Sequence, residues 1–301
     1  MEKTTLGRTE LRISRLGAGL SEIGGLSLEN ENDVARILND ALDSGINFLD
    51  TAACYGVSEE LVGKTVSHRR SEYVLASKCG HIAGDWKGEA WTRETIEHSI
   101  NRSLVRLQTD HLDLMQLHSC SQDILEEGVC IETLQRARDA GKVRYIGYSG
   151  DNEPAHWAVN SGIFDTLQTS FSLVDQHAYS TGLLQAAKSQ NMGVIIKRPI
   201  GNGVWGAQSA PSSYSEEYFR RAQEMMADGP IQDAPSDRIL LAMGFTFAHP
   251  EIDTAIIGTK NHGHMLSNIE MVDSQLPISN VTVSQLHEVF AAHDSAWIQQ
   301  I

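Results

Sequence analysis

A carboxylate, a phenol, an ammonium and an imidazole stand close behind short apolar runs in this chain. Ile46 to Leu49 precedes Asp50, Tyr73 to Ser77 precedes Lys78, and Leu112 to Leu117 precedes His118. Runs of that length, bounded by turn residues, read as buried strands, and Tyr55 falls on the turn between Asp50 and a helix beginning at Ser58. A phenol with an unperturbed pKa of about 10 is a weak acid at neutral pH unless a nearby cation favours its anion. Lys78 is the candidate for that cation, and Asp50 for the carboxylate that offsets the cost of burying it. His118 can donate a hydrogen bond to the oxygen that receives the proton. Such a set suits acid–base chemistry on an oxygen. Taken singly, each residue also has a plain reading: a turn acid, a half-buried aromatic, a solvated lysine, a satisfied core histidine.

The elements that must position these groups alternate along the chain without a break in composition. Residues 3–14 alternate polar and apolar around Gly7 and Arg8, a pattern for a short hairpin. Strands are predicted over 16–20, up to Asp50, up to Lys78, up to His118, and over 143–148, 166–170, 194–197 and 254–257. Helices fall between them; Val34, Ile37, Leu38, Ala41 and Leu42, for example, share one face at helical spacing. Eight strands joined by helical crossovers call for parallel pairing, and eight is the number that closes a barrel. The expectation is α/β: a (β/α)8 barrel (TIM barrel), residues 1–301 as a single domain, with an N-terminal β-hairpin closing one end and a C-terminal helix opened by Thr282 and Gln285 as a capping box. That helix and the stretch from Pro199 to Pro235 are the expected walls of a site, because the loops at the C-terminal ends of barrel strands carry the chemistry.

Composition narrows the function classes. The 301 residues are 41% hydrophobic and 21% charged, with no apolar run long enough to span a membrane. A formal net charge of −15 argues against nucleic-acid or anionic-membrane partners, so an anionic ligand must be held by local cations. No secretory signal is visible at the N-terminus, and a cytoplasmic protein is expected. The four cysteines, Cys54, Cys79, Cys120 and Cys130, lack CxxC spacing and read as reduced, core-filling thiols, with no metal site. Oligomeric state leaves no mark in the sequence.

The stretch GINFLDTAACYG, followed by Lys78 and His118 at later strand ends, resembles the aldo-keto reductase family almost position for position. The resemblance implies that Asp50, Tyr55, Lys78 and His118 are catalytic, with Tyr55 as general acid/base in reducing an aldehyde or ketone to an alcohol, or the reverse. Carbonyl reduction also needs a hydride donor, which no side chain supplies. The same resemblance extends to a nicotinamide cofactor site. Ser149, ending the strand in RDAGKVRYIGYSG, and Gln168, in LQTSFSLVD, fall at carboxamide-binding positions, with Gly150 where the family has asparagine and Asp151 or Asn152 as substitutes. Lys197 stands where relatives place an aromatic. Pro199 to Gly203 is similar to the loop over the pyrophosphate, while Gly19 and Gly258 permit close approach at strand ends.

IIGTKNHGHMLSNIE resembles the family's adenosine end and implies Thr259, Lys260, His264 and Asn268 there. A lysine and a hydroxyl near a helix start suit a 2′-phosphate, so NADP(H) is expected over NAD(H), although His264 stands where many relatives have arginine. Trp86, Trp205 and Trp297 are candidates to line an apolar substrate pocket. Two other readings exist: a nicotinamide-binding regulatory subunit, like the potassium-channel β subunits that resemble this family, and a Schiff-base aldolase using Lys78. The intact four residues favour an enzyme, and pairing with Asp50 would leave Lys78 a poor nucleophile.

Overall fold

In the computed structural model, which describes residues 1–293, 297 and 300, eight parallel strands close into a barrel. They are β3 (Leu16–Gly19), β4 (Phe48–Asp50), β5 (Val74–Cys79), β6 (Leu112–His118), β7 (Val143–Ser149), β8 (Thr166–Ser170), β9 (Gly193–Lys197) and β10 (Thr254–Gly258). Each pairs with its sequence neighbour, and β10 returns to β3 with Gly258 opposite Gly19. The helices are α1 (Glu31–Asp43), α2 (Ser58–Val66), α3 (Arg93–Leu107), α4 (Gln122–Glu127), α5 (Val129–Asp139), α6 (Asn152–Ser161), α7 (His177–Ser180), α8 (Leu183–Ser189), α9 (Glu216–Ala227), α10 (Arg238–Phe247), α11 (His262–Ser274) and α12 (Asn280–His293).

The strands are apolar on both faces because both are buried, and their period of two sorts each strand into two cores. Leu49, Leu75, Met115, Leu117, Ile146, Leu167 and Ile196 face outward and pack under the helices. Phe48, Val74, Ala76, Leu114, Ile195 and Ile256 belong to a separate inner core. The hairpin of β1 (Lys3–Thr5) and β2 (Arg12–Ser14) sends Leu6, Leu11 and Ile13 into that inner core and so plugs the N-terminal mouth. Asp253 holds the plug: its carboxylate accepts from Gly7 N (3.1 Å), Val194 N (3.0 Å) and Lys188 Nζ (2.9 Å).

Continuing the inner face two residues at a time carries Phe48 to Asp50, Ala76 to Lys78, and Leu114 to Gln116 and His118. The lower barrel is therefore filled with hydrocarbon and the upper barrel with polar groups. That layering is why charged residues close buried strands here.

Most predicted elements fall within a residue or two of the observed ones, with two departures. Lys78 is inside β5, which runs on through Cys79. The C-terminal helix starts at Asn280, earlier than the expected capping box. Ser279 Oγ accepts from Val281 N (3.3 Å), whereas Thr282 and Gln285 lie within the helix and bond to the 230–232 segment. A sequence pattern cannot tell a cap from a side chain that bonds across to another segment.

Candidate active site

The barrel's C-terminal mouth opens into a cleft of about 650 Å³ whose lining includes Asp50, Tyr55, His118, Ser149, Gln168 and Lys197. Lys78 lies beneath it, 2% exposed, and donates to Asp50 Oδ2 (2.5 Å) and to the Thr51 carbonyl (2.9 Å). Burying an ion pair this deeply costs more desolvation than most folds tolerate, and hydrophobic replacements are often more stable. Here the remaining Asp50 oxygen is also satisfied, accepting from Gln168 Nε2 (3.0 Å) and Gln116 Nε2 (3.2 Å). Ser149 Oγ donates in turn to Gln168 Oε1 (2.9 Å), so strands β4, β5, β6, β7 and β8 are tied into one polar layer.

Tyr55 reaches this layer from the loop after β4. Gly24 and Gly56 let that loop lie backbone to backbone against the short 3₁₀ turn at residues 22–25. A Cβ on Gly24 would come within 2.3 Å of the Tyr55 carbonyl oxygen, and Gly56 has φ +48°. The Lys78 ammonium lies 4.9 Å from the centroid of the Tyr55 ring, and the hydroxyl is 3.4 Å from His118 Nε2. Burial raises the phenol pKa, Lys78 pulls it down and Asp50 pushes it up; the net direction is upward. Lys78 acts in the expected sense, but desolvation outweighs it, so at neutral pH the group is a protonated donor. Burial would discharge Lys78 itself, but Asp50 and Tyr55 override it and its pKa is raised. His118 moves the opposite way: burial, then Lys78, His81 and Lys197, hold it well below the usual histidine value, so its ring is neutral.

The cleft brings together only part of the expected cofactor set. Gly19, Ser149, Gln168, Lys197, Pro199 and Gly258 line it, and Gly203 sits beside it in the same loop as Pro199. Lys197 donates to Asp151 Oδ2 (2.7 Å), and Asp151 also accepts from Ser170 N and Thr169 Oγ1. Asp151 is therefore committed to the wall rather than pointed into the cleft. Thr259, Lys260, His264 and Asn268 lie beyond this cleft, around the start of α11. Lys260 lines a second pocket of about 380 Å³ with Asn261, His262, Arg36 and Asp33. His264 is exposed and its backbone N donates to the helix-capping Asn261 Oδ1 (3.2 Å), while Asn268 is buried.

The tryptophans are corrected by their packing, since none of them lines the cleft. Trp86 stacks on His98 with centroids 4.2 Å apart and donates to Thr95 Oγ1 (2.8 Å). Trp205 is buried and lines a separate pocket of about 410 Å³ with Met226 and Leu241. Trp297 lies edge-on to Phe290 and under the Arg221 guanidinium at 5.1 Å. Large aromatics in loops bury area wherever they land. Of the two expected walls, the 199–235 stretch contributes Pro199, Ile200, Asn202, Pro211, Ser212 and Tyr214, whereas α12 contributes nothing to the cleft among the described residues.

Gln116, Arg198, Asn202 and Arg36 were missed by the sequence reading. Gln116 carried a signal: it is polar, in a buried strand, and two residues before His118, hence on the same face. Arg36 carried none, being one of several charges on the exposed side of α1.

A closed eight-stranded barrel with this acid, phenol, ammonium and imidazole at its C-terminal mouth defines a barrel oxidoreductase. The chain belongs to the aldo/keto reductase family, whose model matches residues 15–288. It is similar to the uncharacterized oxidoreductase YqkF of Bacillus subtilis (27% identity; 98% of this chain, all of the relative) and to L-galactose dehydrogenase of Arabidopsis thaliana (26%; 96% and 94%). Among solved structures it is similar to the apo form of aldo-keto reductase AKR11C1 from Bacillus halodurans (TM-score 0.77, 25% identity, 96% of both chains). Enzymes of this family use nicotinamide cofactors.

Proposed function

We propose that the protein reduces an aldehyde or ketone to an alcohol with NADP(H), or runs the reverse oxidation, with Tyr55 as the proton donor. The observation that carries this is the Tyr55 hydroxyl at the cleft floor, 3.4 Å from His118 Nε2, with its ring 4.9 Å from the ammonium of the buried Lys78–Asp50 pair. When bound, a nicotinamide cofactor supplies the hydride. Tyr55 Oη delivers the proton to the carbonyl oxygen, and Lys78 stabilises the phenolate left behind. Neutral His118 donates from Nε2 to the same oxygen and orients it.

The residues present fit such a cofactor. Ser149 and Gln168 offer polar atoms to a carboxamide, and Asn202 Nδ2 is buried in the cleft wall with no partner among the described residues. Lys197 and Arg198 bring positive charge to an otherwise acidic protein. At the far end, Lys260 and Arg36 would hold a 2′-phosphate, with Asp33 opposing. This reading is tested by a panel of aldehydes, ketones and sugars followed by loss of NADPH absorbance. Turnover of at least one carbonyl class is the expected outcome; cofactor binding without turnover across the panel would favour a regulatory subunit instead.

A further inference from the structure

Beside Tyr55, two groups outside the polar layer converge on His118. Cys54 Sγ lies 3.4 Å from His118 Nδ1, the nitrogen not directed at Tyr55. The His81 ring stacks on His118 with centroids 4.9 Å apart and 26° between planes, and is braced edge-on by Trp91 at 5.1 Å. One donor atom from each of Cys54, His81 and His118 lies within 4.8 Å of the other two, and all three side chains are partly accessible. The three come from different places in the chain: the loop after β4, the loop after β5 and the end of β6. Sequence spacing alone therefore gave Cys54 the look of a packing residue.

We propose that Cys54, His81 and His118 form a site for a thiophilic divalent cation, of which zinc fits best. Bonds of about 2.3 Å to sulfur and 2.0–2.1 Å to nitrogen separate tetrahedral ligand atoms by roughly 3.5 Å. The Cys54–His118 edge already has that length, and a side-chain shift of about 1 Å closes the triangle. One thiolate and two imidazoles with no carboxylate select zinc over magnesium or calcium, and three protein ligands leave the fourth position to water. Binding displaces the Cys54 thiol proton to solvent, and the resulting thiolate offsets one of the cation's two charges. The Lys78 ammonium bears on both Cys54 and His118 and opposes the cation, which limits affinity to below that of a closed structural site.

The functional consequence rests on the reading of His118 given above. The metal takes Nδ1 of the imidazole whose Nε2 orients the substrate oxygen, and the side-chain shift that closes the triangle moves that ring off the carbonyl, so the cation inhibits.

The test separates the two claims. Untagged protein stripped with a chelator is titrated with Co²⁺, whose tetrahedral visible bands and thiolate-to-metal charge-transfer band report the ligands without any turnover. One equivalent should produce both. Cys54→Ser should abolish the charge-transfer band, and His81→Ala should weaken binding at least about tenfold. Absence of the bands in the parent protein, or their survival in Cys54→Ser, would overturn the site. Micromolar Zn²⁺ should also lower the NADPH-linked rate at least tenfold, reversibly with EDTA, and Cys54→Ser should lose that sensitivity relative to its own metal-free rate. Cobalt bands with no inhibition would keep the metal site and overturn the claim that the bound cation displaces His118 from the substrate oxygen.

Discussion

At the scale of single residues, Tyr55 and Lys78 make separable predictions. Tyr55→Phe removes a hydroxyl that approaches His118 Nε2 at 3.4 Å and hydrogen-bonds with Lys78, and keeps the ring over Lys78, so packing survives. Carbonyl turnover should fall by about 10²- to 10⁴-fold with the melting temperature unchanged, the usual loss for a general acid. Lys78→Met should cost a similar factor in rate and also leave Asp50 buried without its ion-pair partner, which destabilises by about 3–5 kcal/mol. Equal melting temperatures for the two variants would show that the pair is not what holds the polar layer together. Lys260 lines a pocket remote from the chemistry, so its effect should be on cofactor choice alone. Lys260→Ala should weaken NADPH binding by about 1–3 kcal/mol and leave NADH nearly unchanged in fluorescence titrations. A matching loss of NADH affinity would place the lysine elsewhere than at a 2′-phosphate.

At the scale of elements, the two barrel ends divide the work. The N-terminal mouth is closed by the β1–β2 plug, whose Gly7 amide, with Val194 N and Lys188, depends on the 2%-exposed Asp253. Asp253→Ala leaves two backbone amides and a lysine without their acceptor, a loss of about 3–5 kcal/mol. It should lower the urea midpoint while keeping kcat per folded molecule, because chemistry lies at the other mouth. A variant that loses kcat at unchanged stability would contradict this division. The same two ends explain what could be read from sequence. Strand position and inward face follow from a period of two and a polar terminus, so Asp50, His118, Ser149 and Gln168 were legible, and even Gln116 could have been. Convergence of residues from separate loops was not legible, because it depends on where loops fold over the mouth. Arg36 beside Lys260, and His81 against His118, meet only in three dimensions. The tryptophans were misplaced for the same reason: local pattern does not say which neighbour a loop aromatic finds.

At the scale of the whole molecule, buried titrating groups set how stability depends on pH. Burial holds His81 and His118 below the usual histidine value, with Lys78 and Lys197 adding to the effect on His118. For such groups the unfolded chain binds protons that the folded chain does not, so their contribution is complete above about pH 6.5 and is lost as pH falls toward the folded values. Asp113 and Asp151 act in a lower window. Burial alone would raise them, but Arg70 in one case and Lys197 in the other hold each below the usual aspartate value, so their share persists until pH falls past about 4. A third influence runs the other way: acidification moves the net charge from −15 toward zero at a pI near 5.2, which relieves self-repulsion. Ionic strength decides between them. At about 0.15 M salt, exposed charges farther apart than about 8 Å are screened while buried groups are not, so the histidine effect dominates. Melting temperature measured at that salt, with a chelator present, should therefore be level above pH 7, begin to fall as pH drops through about 6.5, and fall more steeply below about 4. His118→Asn should reduce the first decline, with His81, His249 and His287 keeping the remainder, and leave the second. A melting temperature that rises from pH 7 to 5 at this ionic strength would mean that surface repulsion, and not the desolvated imidazoles, governs the stability of this barrel.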